Sequence, residues 1–328
     1  MAEVVASILH GAHGDYYQQS MCLKHMKKQN PDLRLKLFFA MQHRYEVFKV
    51  LDYSFAEHVG MWTDLAEQSF DRFHQFQVLD PELQEDVLDR LPPEVLERLD
   101  RRTNHLPWRY LPRLFPPGPD DMLSLNQPGR EMLAREMAAK GIDQETFARP
   151  TIGVVWRFRG AGGAVHPFLQ PPAEVMRRKY SRALGRLIRE FDCNVLICGM
   201  NLEMDDQARI ILDNKFPPYG LDLPAERTIY VNGLNFIINA EILSRCDVCL
   251  VHSSGFSEYV YMRKGGDMFL VDTPASYLLK MIKYRLPFFD YFAPRTFVRQ
   301  WLRPHSEDRI HRWLARALRA KLRAGAGG

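Results

Sequence analysis

The sequence predicts an α/β protein of two Rossmann-like domains that face each other across a cleft. Three observations predict it. The chain has 328 residues, more than one hydrophobic core usually serves. It opens on an apolar strand that runs into a glycine-bearing turn and then a helix, and the same alternation of strand and helix restarts at Thr151. Hydrophobic residues make up 46% and charged residues 26%, the balance of a folded globular chain, which excludes a disordered protein. No apolar run reaches the roughly 18 to 20 residues of a membrane span. Residues 1–10 lack the basic and apolar regions of a secretion signal, so a cytoplasmic location is expected.

In chain order, residues 4–9 form a short apolar strand that leads into His10, Gly11, Ala12, His13, Gly14 and Asp15. A helix over 16–29 follows, with Lys24, Lys27 and Lys28 near its end, where positive charge suits the helix dipole. Asn30 and Pro31 stop it, and 33–40 reads as a second parallel strand. Residues 60–145 read as helices and surface loops, among them an acidic, leucine-rich helix over 80–99, broken by prolines. A linker falls near 148–151. Strands are then expected at 152–156, 194–199, 228–230, 248–252 and 268–271, and helices at 173–191, 205–213, 235–245 and 257–264. Strands alternating with helices imply parallel sheets, whose ligands sit at the carboxyl ends of the strands. The expected organisation is a first domain over 1–149 with a helical insert, a second over 150–290 and a basic amphipathic tail over 291–328.

Three loops carry chemistry. The first holds Gly14 and Asp15, where glycine lets a ligand approach the backbone and a helix N-terminus favours an anion. Asp15 reads either as a base or as a residue capping free helix amides. His13 is the alternative base, although a loop histidine without a role is also a plain reading. The second is the strand end from Val155 through Arg157, Arg159, Gly160, Gly162 and Gly163. Paired arginines there suit phosphates through bidentate hydrogen bonds, and a solvated flexible loop is the bland alternative. The third runs from Arg245, Cys246 and Asp247 through a strand to His252, Ser253, Ser254, Gly255 and Glu258.

These segments resemble the heptosyltransferase-like glycosyltransferases of GT-B architecture. In that family the first strand ends in a Gly-x-Gly-Asp-type loop before a helix ending in Lys-x-x-x-Pro, and the loop aspartate is the base that deprotonates the acceptor hydroxyl; Asp15 occupies that position. The family's later Asp-Ser-Gly-x-x-His segment, a nucleotide diphosphate site, is matched only in part. Ser253 stands where its aspartate would be and Glu258 where its histidine would be. Glu258 would lie about one helical turn in, within reach of ribose hydroxyls. The resemblance implies a glycosyltransferase that moves a sugar from a nucleotide-sugar donor to a glycan, glycolipid or other hydroxyl acceptor. It implies inversion, a carboxylate base and no metal. The implied catalytic residues are Asp15 and His13. The implied donor-binding residues are Gly14, Arg157, Arg159, His252, Ser253, Ser254, Gly255 and Glu258. No cofactor is implied beyond the donor itself.

Other classes fit less well. A dinucleotide-binding oxidoreductase needs Gly-x-Gly-x-x-Gly, and a serine hydrolase needs Gly-x-Ser-x-Gly; neither is present. A non-catalytic nucleotide- or glycan-binding protein stays open as the alternative. The net charge of +4 does not suit a general nucleic-acid binder. The five cysteines read as buried core residues, with neither a metal cluster nor a disulfide expected. From Arg295 onward nine basic residues face Glu307 and Asp308, a net +7. Trp301, Ile310, Trp313, Leu314 and Leu318 are spaced so that several can share one helical face of that tail. Such a helix suits an anionic membrane surface at the inner face of the membrane, or equally a closing helix packed back on the first half.

Overall fold

The computed structural model describes residues 3–9, 13–77, 93, 103–107, 117–156, 173–199, 202–204, 210–212, 221–231, 235–251, 259–260, 263–264, 268–270 and 306–326, and of residues 13–15 the backbone only. The chain forms two compact units, Met1–Arg130 and Glu131–Gly328. The division falls earlier in the chain than the expected boundary at 149/150. Residues 131–149 cluster with the second unit, where the Asn194 side chain donates to the Thr146 carbonyl at 2.9 Å.

In the first unit β1 (Val4–Leu9), β2 (Arg34–Phe39), β3 (His58–Met61), β4 (Arg72–Gln77) and β5 (Thr103–Pro107) form a sheet in the order β3-β2-β1-β4-β5, with every pair parallel. All six residues of β1 are buried, as a strand covered on both faces requires. Val4, Ala6, Ile8 and Phe38 pack on one side with Leu65 and Phe70. The helix α1 (His13–Gln29) brings Tyr16 into a stack on Phe39, at 5.5 Å between ring centroids. The short helix α2 (Gln42–Phe48) adds Phe48 to that aromatic group. Three strands, β3, β4 and β5, thus come from 58–107, most of which was expected to be helix and loop. The helix expected over 80–99 lies outside the described residues except for Pro93.

The end of α1 explains the lysines of the opening segment. Lys27 Nζ donates to the carbonyls of Pro31 and Leu33, both at 2.6 Å, which clamps the turn into β2. Lys24 Nζ donates to the Met122 carbonyl at 2.8 Å. Their work is structural and lies at the far end of α1 from Asp15. Helix α3 (Gln127–Ala139) starts in the first unit and crosses the division between the two.

The second unit starts its α/β rhythm after α4 (Gln144–Ala148), which is capped by Asp143. Its strands β6 (Thr151–Trp156), β7 (Asn194–Gly199), β10 (Thr228–Tyr230), β11 (Val248–Val251) and β12 (Met268–Leu270) form a second parallel sheet in the order β10-β7-β6-β11-β12. This repeats the winding of the first. Helix α5 (Ala173–Phe191) covers one side with Tyr180, Leu184 and Leu187 against Ile152, Val154 and Val195. Helix α6 (Phe236–Ser244) packs on β6 and β7. The expected helix over 205–213 is overturned where it is described. Ile210–Leu212 is strand β9, paired antiparallel with β8 (Leu202–Met204), because a β-branched run with a partner strand favours extended backbone over an isolated helical turn.

The C-terminal helix α7 (Glu307–Ala326) lies beside α5. Ile310, Leu314 and Leu318 are fully buried in the core of the second unit. This corrects both readings of the tail: its apolar face is covered by its own unit rather than by the first half or by lipid. Trp301 lies outside the described residues. Arg186 pairs with Asp308 at 2.6 Å, and Glu190 pairs with His311 at 3.0 Å and with Arg319. Among the described residues no helix is long and apolar enough to cross a membrane.

One device recurs. The residue before β4, Asp71, accepts from the Val4 amide at 2.8 Å and returns its own amide to the Val4 carbonyl at 2.9 Å. The residue before β11, Asp247, does the same to Thr151, at 2.8 Å and 3.0 Å. Each sheet is therefore clasped at the amino end of its central strand pair.

Candidate functional site

In each sheet the first strand is central, the next two add to one side and the fourth crosses to the other. The reversal lies between β1 and β4 in the first unit and between β6 and β11 in the second. An open parallel sheet offers a crevice at the carboxyl end of that pair. All three sequence-predicted loops start there.

In the first unit only residues 10–12 separate β1 from α1. His13, Gly14 and Asp15 are the first three residues of that helix, so the helix starts ahead of Asp15 rather than at it. This corrects the reading of Asp15 as the residue that precedes and caps the helix. A carboxylate inside the first turn still meets the positive end of the dipole. The side chains of His13 and Asp15 lie outside the description. Sequence reasoning missed their helix neighbours Gln18 and Gln19, which are 7% and 2% exposed and lie three and four residues beyond Asp15, on the same helix face. Two consecutive buried amides at the mouth of a sheet were the available signal. Below them Ser20 Oγ donates to the Tyr16 carbonyl at 2.8 Å and lies 3.2 Å from the Tyr53 hydroxyl.

In the second unit β6 and β11 run in register, with Ile152 opposite Val248 and Val154 opposite Leu250. The strands that precede the segments carrying Arg157 and Arg159 and carrying His252, Ser253, Ser254, Gly255 and Glu258 are thus neighbours, about 5 Å apart. These seven residues themselves lie outside the described ones. Tyr259 and Val260 are helical and both fully buried.

Asp247 is not part of this group. It sits at the amino end of β11, held by Thr151 and by Lys321 Nζ at 3.0 Å, and its role is structural. The cysteines Cys22, Cys193, Cys198, Cys246 and Cys249 are all free and buried. Burial pushes the Cys193 and Cys198 thiols up to about 12, which keeps them protonated and unreactive. Among the described residues no group of three His, Cys, Asp or Glu side chains is placed to hold a metal ion.

No family model matches the sequence, and no curated protein matches it. Solved structures do. The glycosyl transferase family 9 protein from Veillonella parvula shares the fold with a TM-score of 0.58 at 12% identity, over 97% of both chains. The ADP-heptose LPS heptosyltransferase II of E. coli matches with a TM-score of 0.59 at 14% identity, over 97% of this chain and 99% of that one. The likeness runs through both units, and with the two parallel sheets it assigns the GT-B architecture to this chain.

Proposed function

We propose that this protein is a glycosyltransferase that moves a sugar from a nucleotide-sugar donor to a hydroxyl of a glycan or glycolipid, with inversion and without a metal. The observation that carries the reading is positional: Asp15 lies in the first helical turn after β1, and β6 and β11, the strands that precede the two segments proposed to hold the donor, are neighbours, in a fold shared with glycosyltransferases over nearly the whole chain. Asp15 accepts the acceptor's proton, with His13 as the alternative base, while the acceptor oxygen bonds to the anomeric carbon. The bond from that carbon to the diphosphate oxygen breaks, and the nucleoside diphosphate leaves. Arg157, Arg159 and the backbone amides of Ser253, Ser254 and Gly255 offset the charge on the leaving group, the task a metal performs elsewhere. Gly14 admits the ligand to the backbone, and His252 and Glu258 hold the nucleoside.

Contact with an anionic membrane, at its cytoplasmic face, belongs to the same proposal. It uses the exposed Arg312, Arg316 and Arg323 of α7 in place of the buried apolar face.

Thermal shift against ADP, GDP, UDP, TDP and CMP compounds tests the donor site, since a ligand at 100 times its Kd stabilises by roughly 2.7 kcal/mol. One nucleotide class should raise the melting temperature, and its sugar conjugate should be hydrolysed slowly without acceptor. Binding without any hydrolysis or transfer favours the non-catalytic alternative, and no binding at all sinks the proposal. Asp15→Asn should lower transfer by roughly 100-fold with donor affinity intact, the usual worth of a positioned base. Near-normal turnover would move the role to His13. Chelation by EDTA should leave turnover unchanged.

A further inference from the structure

We propose that the C-terminal end of α7 is a lipid-inserting tip, with Leu322 entering an anionic bilayer and the strands of the second unit running away from it. The inference rests on the membrane contact proposed above and adds which end of the helix makes it. The buried apolar stripe of α7, Ile310, Leu314 and Leu318, outlasts the core it packs into. Its next member, Leu322, follows Leu318 by four residues and so lies on the same face, yet it is 47% exposed. A leucine left in water keeps in reserve the stabilisation that covering it would supply. Lys321 and Arg323, both exposed, flank it, and the exposed Arg319 stands about one turn earlier. An apolar tip rimmed by cations matches a bilayer with anionic headgroups and a hydrocarbon interior.

Contacts on either side of Leu322 locate the tip at the amino rim of the second sheet. Lys321 Nζ lies 3.0 Å from Asp247 Oδ1, and Asp247 immediately precedes β11. Arg319 pairs with Glu190 and stands 5.6 Å from the centroid of the Phe191 ring, at the end of α5 and just ahead of β7. The acids nearest the tip are already engaged: Glu190 with His311 and Arg319, Asp192 with Arg149 and Arg227, and Asp247 with Lys321. Arg189, Arg316 and Arg323 are exposed and in no ion pair among the described residues. The exposed acids Asp143, Glu145, Asp222 and Glu226 belong to segments that lead into β6 and β10, whereas α7 touches β11 and β12. Positive charge therefore concentrates at the corner where Leu322 emerges. Docked by this corner, the unit turns the carboxyl ends of its strands away from the lipid, toward the water that supplies a soluble nucleotide-sugar.

A fluorescent reporter on the full chain tests this. The native cysteines are all buried, so Leu322→Cys takes an environment-sensitive dye at one place. Ser306→Cys, ahead of α7 and about 24 Å away along the helix, serves as the reference. Phosphatidylcholine vesicles containing phosphatidylglycerol should shift the emission at 322 to the blue and leave that at 306 unchanged, and vesicles of phosphatidylcholine alone should shift neither. Leu322→Ala should weaken vesicle binding about fivefold, with the melting temperature unchanged because the side chain already stands half in water. If the protein sediments with the vesicles while the dye at 322 does not respond, or while 306 responds equally, the tip is overturned and the membrane contact stands. Wild-type protein that does not sediment overturns both, and binding to duplex DNA in its place would assign the basic corner to nucleic acid. A blue shift at 322 that grows with protein concentration in the absence of vesicles would assign the tip to a second copy of the chain and overturn the lipid reading.

Discussion

Gly153 is a glycine because of what stands against it. A Cβ at that position would lie 2.8 Å from Sγ of Cys249, on β11, and 3.3 Å from Sγ of Cys246, in the bend before it, both buried. Overpacking of this kind costs about 1–3 kcal/mol. Gly153→Ala should therefore lower the melting temperature by several degrees, and adding Cys249→Ala should restore part of the loss. The C-x-x-C spacing is thus explained by packing around a central strand. His43 carries a pH signal. Its pKa is pushed down to about 4, by burial first and by the Arg44 charge second, and its Nε2 is buried without a hydrogen-bond partner among the described residues. The unfolded chain takes up this proton near pH 6.5 and the folded chain only near 4, so more protons are bound to the unfolded state between those values. The contribution is full above pH 6.5 and is lost as pH falls through that window. Solvent screening of a half-exposed ring leaves it on the order of 1 kcal/mol. The drop in melting temperature from pH 7 to pH 4.5 should be smaller in His43→Phe by a few degrees, and an equal drop would refute the assignment.

Among the elements, α7 separates stability from surface chemistry. Removing the chain after Ser306 exposes the pockets of Ile310, Leu314 and Leu318, each worth roughly 1.5–3 kcal/mol of burial, so a large fall in melting temperature is expected. Reversing Arg312, Arg316 and Arg323 to Glu should leave the melting temperature within a degree or two. It should abolish sedimentation with vesicles rich in anionic lipid, because each basic residue near such a surface adds about 1 kcal/mol. Retained sedimentation would end the membrane proposal. The elements legible in the sequence were those with a strong period and clear ends. The ranges of β1, α5, β7 and β10 were read as they stand, since apolar runs or helical spacing were bounded by Gly, Asp or Pro. The strands β4 and β5 were not legible. Arg72–Gln77 interleaves Phe73 and Phe76 with Arg72, His74, Gln75 and Gln77, and Thr103–Pro107 ends on a proline; their partners, not their composition, make them strands. Tail burial was equally hidden, because an amphipathic face is the same sequence whether protein or lipid covers it.

Across the whole molecule, one plan is used twice. Both sheets wind in the same order, and both place their loops where the order reverses. The strands β1, β6 and β11, from which the predicted loops continue, could be read from the sequence as apolar runs. The buried pairing of Glu241 with Tyr259 and Arg263 could not, because these partners lie 18 and 22 residues further on and are joined only by folding. The clasps by Asp71 and Asp247 give a prediction at this scale. Replacing Asp247 with Ala should cost about 2 kcal/mol for lost hydrogen bonds to a charged group. Amide exchange should quicken along β6 and β11 and stay unchanged along β1 and β4, and Asp71→Ala should do the reverse. Exchange that rises equally in both sheets would show that the clasps do not act locally.

Those two aspartates also divide each sheet into a frame and a socket. The stitching between the central strands is done at one rim, by Asp71 and Asp247, and residues 10–12, 157–172 and 252–258 follow strands at the opposite rim. A segment grafted at that rim from another protein of this fold should leave the clasps in place, so the melting temperature of such a chimera reads how far the frame stands apart from what it carries.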